Sequence, residues 1–261
     1  MSESLVYNAD CLAAMREMPD NAFDLAVVDP PYGLGIQSMS FCKGGPRIDN
    51  RKSRAVRRDY RRTDEWDVKP SPEYFEQLRR VSKNQIIWGG NYFTDILPPS
   101  KGFIVWDKRC SNDSRNDFAD CEYAWLSPGL GVARVFRFVW DGMRQGDMKH
   151  KEERFHPTQK PVALYAWIFA WYAKPGMKIL DTHLGSGSSR IAAFDAGLDF
   201  TGFEIDQTYF QKQEERFANY TAQRSLFRAE TGDKSNGDTN LSLWDEAPGL
   251  FAGVSADGGT H

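Results

Sequence analysis

Asp29-Pro30-Pro31-Tyr32 follows directly on the apolar run Phe23-Asp24-Leu25-Ala26-Val27-Val28, and these four residue types together suit a planar amine. Each proline fixes its own φ and lacks an N–H, so the carbonyls before them stay open to a ligand. The Asp29 carboxylate and the Pro30 carbonyl would accept the two amine hydrogens, and the Tyr32 ring would stack on the face of the molecule. A nucleobase with an exocyclic amino group meets that description. A second set lies at Asp181-Thr182-His183-Leu184-Gly185-Ser186-Gly187-Ser188. Gly185 and Gly187 would let backbone approach a ligand, and a following helix N-terminus would offer free N–H groups. Glu204 stands seventeen residues after Gly187, close to the offset of roughly 20 at which an acid grips ribose hydroxyls in nucleotide-binding βαβ units. Arg190 breaks the full G-x-G-x-x-G, which disfavours a dinucleotide, and the absence of G-x-x-x-x-G-K-S/T disfavours a triphosphate.

The elements that must position these residues are readable from their flanks. Asp24 to Val28 is short, apolar and stopped by Pro-Pro, which predicts a buried strand. Ser71 as N-cap and Pro72 at N1 predict a helix through about Arg80. Short strands are expected at Gln85–Trp88, Phe103–Trp106, Glu122–Leu126 and Val132–Val139. A helix from Pro161 to Ala173, a strand Met177–Leu180, the glycine turn, a helix Ser188–Ala196, a strand Phe200–Phe203 and a helix from Gln207 to about Tyr220 complete a βαβ rhythm, which implies a parallel sheet. Acids at the carboxyl ends of adjacent strands are where open α/β sheets bind ligands.

Composition bounds the rest. The chain has 261 residues and a net charge of −3, so any basic surface must be local. Cys11, Cys42, Cys110 and Cys121 form no C-x-x-C pair, and His150, His156, His183 and His261 do not cluster with them, so no metal site is expected. With no basic, apolar leader and no apolar run long enough to span a bilayer, a cytoplasmic protein without a membrane partner is expected. Between Lys43 and Glu65 nine basic residues (Lys43, Arg47, Arg51, Lys52, Arg54, Arg57, Arg58, Arg61, Arg62) face four acids. Directly after the ledge, this loop is a candidate phosphate grip that would position nucleic acid without specifying sequence.

A D-P-P-Y ledge followed by a D-x-x-x-G-S-G loop and an acid resembles the S-adenosylmethionine-dependent amino-methyltransferases of DNA. With the ledge first and the loop last, the order resembles the permuted β-group that methylates adenine N6 or cytosine N4. Tyr7-Asn8-Ala9-Asp10-Cys11-Leu12 matches the segment whose acid contacts the cofactor adenine, with Ala9 in place of the usual glycine. His156-Pro157-Thr158-Gln159-Lys160-Pro161 looks like the segment lining the methionine end. Thr182 and His183 depart from the family's usual proline and aromatic.

The resemblance implies a Rossmann-like α/β fold, an open, mostly parallel sheet with one antiparallel strand and helices on both faces. It implies Asp10, His156, Thr158, Asp181, Gly185, Gly187 and Glu204 as cofactor-binding residues, and Asp29, Pro30, Pro31 and Tyr32 as catalytic ones. The DNA substrate would present its target base flipped out of the duplex, and Asn91 and Tyr92 are candidates to line the base pocket. Asp29 favours adenine N6; cytosine N4, or a catalytically silent DNA-binding protein of the same fold, are the alternatives. The expected organisation is a domain over 1–228, with a basic insertion at 36–66 and a target-recognition segment at 107–155. A flexible tail is expected over 229–261. The protein would act as a monomer or homodimer, with a place in restriction-modification.

Overall fold

Leu25-Ala26-Val27-Val28 is buried at every residue, and its alternation divides the interior: Leu25 and Val27 face one core cluster, Ala26 and Val28 the other. A strand buried on both faces is the mark of a parallel sheet covered on two sides. The computed structural model describes residues 2–35, 67–110, 119–141 and 144–231. The whole proposed phosphate grip, Lys43 to Arg62, and residues 232–261 of the expected tail lie outside these residues.

The main sheet comprises β1 (Ser4–Tyr7), β2 (Leu25–Val28), β3 (Gln85–Trp88), β4 (Phe103–Asp107), β5 (Cys121–Leu126), β6 (Arg134–Arg137), β9 (Lys178–Asp181) and β10 (Asp199–Phe203). Their order across the sheet is β1-β10-β9-β2-β3-β5-β4-β6. Only β5 runs antiparallel to its neighbours, β3 and β4, so the expectation of one reversed strand in a mostly parallel sheet holds. A separate hairpin pairs β7 (Trp140–Asp141) with β8 (Arg144–Gln145). Helices α1 (Cys11–Glu17) and α2 (Pro72–Val81) cover one face, while α3 (Val162–Tyr172) and α4 (Ser188–Asp195) cover the other. Ser71 accepts a hydrogen bond from Tyr74 N at 3.4 Å with Pro72 at N1, the start that the sequence predicts for α2.

From β9 the chain passes through α4 to β10 on one side, whereas β2 passes through α2 to β3 on the other. The connection therefore reverses between β9 and β2, and a crevice opens there beyond the strand ends. Asp181 ends β9, and Asp29 immediately follows β2.

Two expectations change. Helix α5 (Gln207–Thr231) outruns the predicted stop near Tyr220 and the domain boundary at 228. Within the proposed recognition segment 107–155, β5 and β6 are strands of the main sheet, with β6 at its edge. Among the described residues no helix is long and apolar enough to cross a membrane.

Candidate active site at the strand switch point

Asp29 is held from two directions. The Tyr32 hydroxyl donates to Oδ1 at 2.6 Å, and the Lys160 ammonium donates to Oδ2 at 2.5 Å. Tyr32 thus differs from its expected part as an open stacking face: its ring lies against Tyr92, with centroids 4.8 Å apart and planes 21° apart. Tyr92 is 40% exposed, so it is the outer ring of this pair that a planar ligand would meet first. Phe93 meets Tyr32 edge-on at 6.1 Å, and Gly89, at φ +69°, packs where any Cβ would fall 2.1 Å from the Tyr32 ring. The 3-10 turn Gly90–Tyr92 after β3 places these aromatics.

Lys160 reaches a second acid. Its side chain is 3% exposed and its ammonium lies 3.1 Å from Glu122 Oε2, while Lys108 holds Glu122 Oε1 at 3.0 Å. Burial by itself would raise the Glu122 carboxyl, but Lys160 and Lys108 outweigh it and hold the group at about 2. For Lys160, burial disfavours the charge, yet Asp29 and Glu122 more than offset it and lift the ammonium above its ordinary value. Sequence reading missed this pairing. A single acid inside the apolar strand Cys121-Glu122-Tyr123-Ala124-Trp125-Leu126 was the signal for it.

The glycine loop is built by the acids around it. Asp181 is 2% exposed and accepts from Ser189 Oγ at 2.5 Å and from His183 N at 3.0 Å, which pins both ends of the turn. Glu204 accepts from Gly185 N at 2.8 Å and from Asp206 N at 2.8 Å. Gly185 (φ +52°) and Gly187 (φ +72°) both occupy the left-handed region that disfavours side chains. A Cβ on Gly187 would meet Gln213 of α5 at 3.2 Å, so this glycine lets a helix approach. His156 lies against Gly185, where a Cβ would sit 3.6 Å from its ring, and packs on Tyr209 with centroids 4.2 Å apart. Thr158 Oγ1 is 3.2 Å from His156 Nδ1. Asp10 caps α1 through Leu12 N at 2.8 Å and is exposed. Ile205, 72% exposed, and Tyr7, 45% exposed, flank the end of β10.

The switch point is therefore acidic. Burial, together with the charges of Asp29 and Glu204, pushes the Asp181 carboxyl up to about 7, against the pull of Ser189 and His183 N. Next to it, burial pushes the His183 imidazole down to about 4. Between about pH 4 and 7 the folded state binds the Asp181 proton that the unfolded chain has released, so this term stabilises at low pH and fades as pH rises. His183 has the opposite sign, because the unfolded chain binds its proton below about 6.5 and the fold does not. The stability of wild type relative to Asp181→Asn should thus fall by about 2–4 kcal/mol from pH 4 to 7.5 in urea titrations. A difference that does not vary with pH would show that Asp181 is ionised throughout.

Residues 107–215 match the family model of N6/N4 DNA methylases, described as DNA methylase. The Escherichia coli (strain K12) protein YubD, which carries a methylase name, is 25% identical over 231 residues, 86% of this chain and 93% of that protein. The type II methyltransferase M2.MboI of Moraxella bovis is 23% identical over 256 residues, covering 83% of this chain and 88% of its own. Among solved structures, the PvuII DNA methyltransferase (cytosine-N4-specific) superposes with a TM-score of 0.53 at 12% identity, over 98% of this chain and 95% of that one, a likeness of fold.

Proposed function

We propose that this chain, whose residues 107–215 match the DNA methylase family model and which is similar over most of its length to two methylases, transfers a methyl group from S-adenosylmethionine to N6 of adenine in DNA. The observation that carries this reading is the convergence of Asp29, Asp181 and Glu204 at the carboxyl ends of three neighbouring strands beside the Pro-Pro ledge. Three carboxylates, one of them driven up to about 7 by burial and its neighbours, fit a cationic, ribose-bearing cofactor. The second lone pairs of Asp181 and Glu204 can still accept hydroxyls although backbone N–H groups already engage them. Exposed Ile205 and Tyr7 would cover an adenine face, Asp10 its edge, and His156 and Thr158 the methionine end. The cofactor supplies an activated methyl group on sulfur.

The exocyclic amine of adenine is a weak nucleophile, because its lone pair is delocalised into the ring. Asp29 and the Pro30 carbonyl accept its hydrogens, favour a pyramidal nitrogen and face the positive charge that grows there. Acceptors fixed in advance where charge develops are the counterpart of an oxyanion hole, and holding the amine in line with the methyl adds orientation. The proton leaves after transfer, when the nitrogen has become acidic, so Asp29 need not be a strong base. Tyr92, with Tyr32 behind it, offers the aromatic surface for a base flipped out of the duplex. The residues Lys43 to Arg62 would grip phosphates. Incubation with S-adenosylmethionine and unmethylated DNA, digestion to nucleosides and mass analysis tests the choice of base. N6-methyldeoxyadenosine is expected; N4-methyldeoxycytidine would keep the chemistry and overturn the base.

A further inference from the structure

We propose that Lys160 positions the Asp29 carboxylate for methyl transfer and that Glu122 counterbalances its charge. This deepens the reading above and rests on it. A buried ammonium 2.5 Å from an acid that must face a developing cation is at first sight counterproductive. It fixes the rotation of the carboxylate and leaves Oδ1 to a neutral, displaceable donor, the Tyr32 hydroxyl. Its charge would also oppose the positive nitrogen. Glu122, 3.1 Å from the same ammonium, cancels that opposition. Lys108 then lies on the far oxygen of Glu122 and is one step removed from the reacting centre. His156 lies on Gly185 while Lys160, four residues later, lies on Asp29. One short segment therefore joins the glycine loop to the ledge.

Among the described residues, the charged and titratable groups around Asp29 are Tyr32 on its own segment, Glu122 on β5, Lys160 before α3, Tyr74 on α2, Tyr165 on α3 and Asp181 on β9. Lys160 is the one cation among them. Without it, Asp29 and Glu122 lose their shared ammonium and only Glu122 keeps a cation, Lys108, so the pair retains a proton above the usual carboxylate range.

The test is a cycle of four proteins: wild type, Lys160→Met, Glu122→Gln and the double variant. Lys160→Met should lower kcat about 100-fold at pH 7, with KM for S-adenosylmethionine nearly unchanged and activity recovering as pH rises. Glu122→Gln alone should lower kcat about 10-fold, since Lys160 is then unbalanced. In the Lys160→Met background the same change should raise kcat, because the competing carboxylate is gone. That reversal of sign is the decisive result, since a purely structural role makes Glu122→Gln harmful in both backgrounds. Activity of Lys160→Met within a few-fold of wild type, or a loss confined to KM for the cofactor, would overturn the proposal. Carbon-13 carboxyl titration of the apoprotein gives a reading independent of turnover. A shared proton should appear in Lys160→Met and vanish in the double variant, and its absence would refute the proposal. If wild type transfers no methyl to DNA, the functional reading fails, and this titration still decides the part of Lys160.

Discussion

Asp29→Ala should reduce methyl transfer to DNA by at least about 100-fold, the loss typical of removing one preorganised electrostatic group from a reacting centre. Binding of S-adenosylmethionine should change little. Asp29 belongs to the ledge after β2, whereas the glycine loop is pinned by Asp181 and Glu204 through Ser189, His183 N and Gly185 N. Lys160 keeps Glu122 as a partner after the substitution, so no orphaned buried ammonium confuses the result. The Tyr32 hydroxyl loses its acceptor, a smaller penalty of about 1 kcal/mol in stability. Single-turnover transfer into DNA, with cofactor affinity measured by calorimetry on the same sample, separates the two effects. Near-full activity in Asp29→Ala would remove the acceptor role from the account.

Gly89→Ala should impair both fold and activity. The new methyl group would lie 2.1 Å from Cε1 and 2.5 Å from Cζ of Tyr32, and the φ of +69° is itself costly for alanine. Tyr32 cannot simply swing aside, because Tyr92 stacks on it and Phe93 abuts its edge. Overpacking and the left-handed backbone together should cost about 2–4 kcal/mol. Displacing the ring breaks its hydrogen bond to Asp29, so kcat should fall further than the loss of folded protein explains. Gly176→Ala is the control: its φ is +81°, but nothing lies within 4 Å of the added carbon. It should cost only about 1 kcal/mol and leave turnover intact. Equal behaviour of the two variants, in melting and in activity, would show that Tyr32 is not held by Gly89.

The legible parts of this fold were those with local physics strong enough to be seen alone. The run Leu25–Val28 is buried on both faces, so it reads as a strand without knowledge of its neighbours. Gln85–Trp88 is equally buried, and Ser71-Pro72 carries its own cap and start signal. By contrast, β1 is a half-exposed edge strand and α1 buries only Met15, so neither leaves a clear period. The hairpin of β7 and β8 has two residues in each strand.

For the site, the acids that end neighbouring strands could be found because strand ends are fixed by topology. The partners of those acids could not. Lys160 stands 131 residues from Asp29, and Glu122 meets it only through the register of the single antiparallel strand. Gln213 reaches the glycine loop, and Tyr209 reaches His156, by the rotation of α5 about its axis, which the pattern of that helix does not specify. Gly187 also makes room for Gln213, a need that the local sequence does not show.

The most direct test of the central claim is transfer of labelled methyl from S-adenosylmethionine by the purified chain, offered unmethylated DNA, RNA of the same sequence, or neither. Label is expected in DNA, on an exocyclic amine, and none without nucleic acid. Label in RNA alone, or no transfer by protein shown to bind the cofactor, would contradict it.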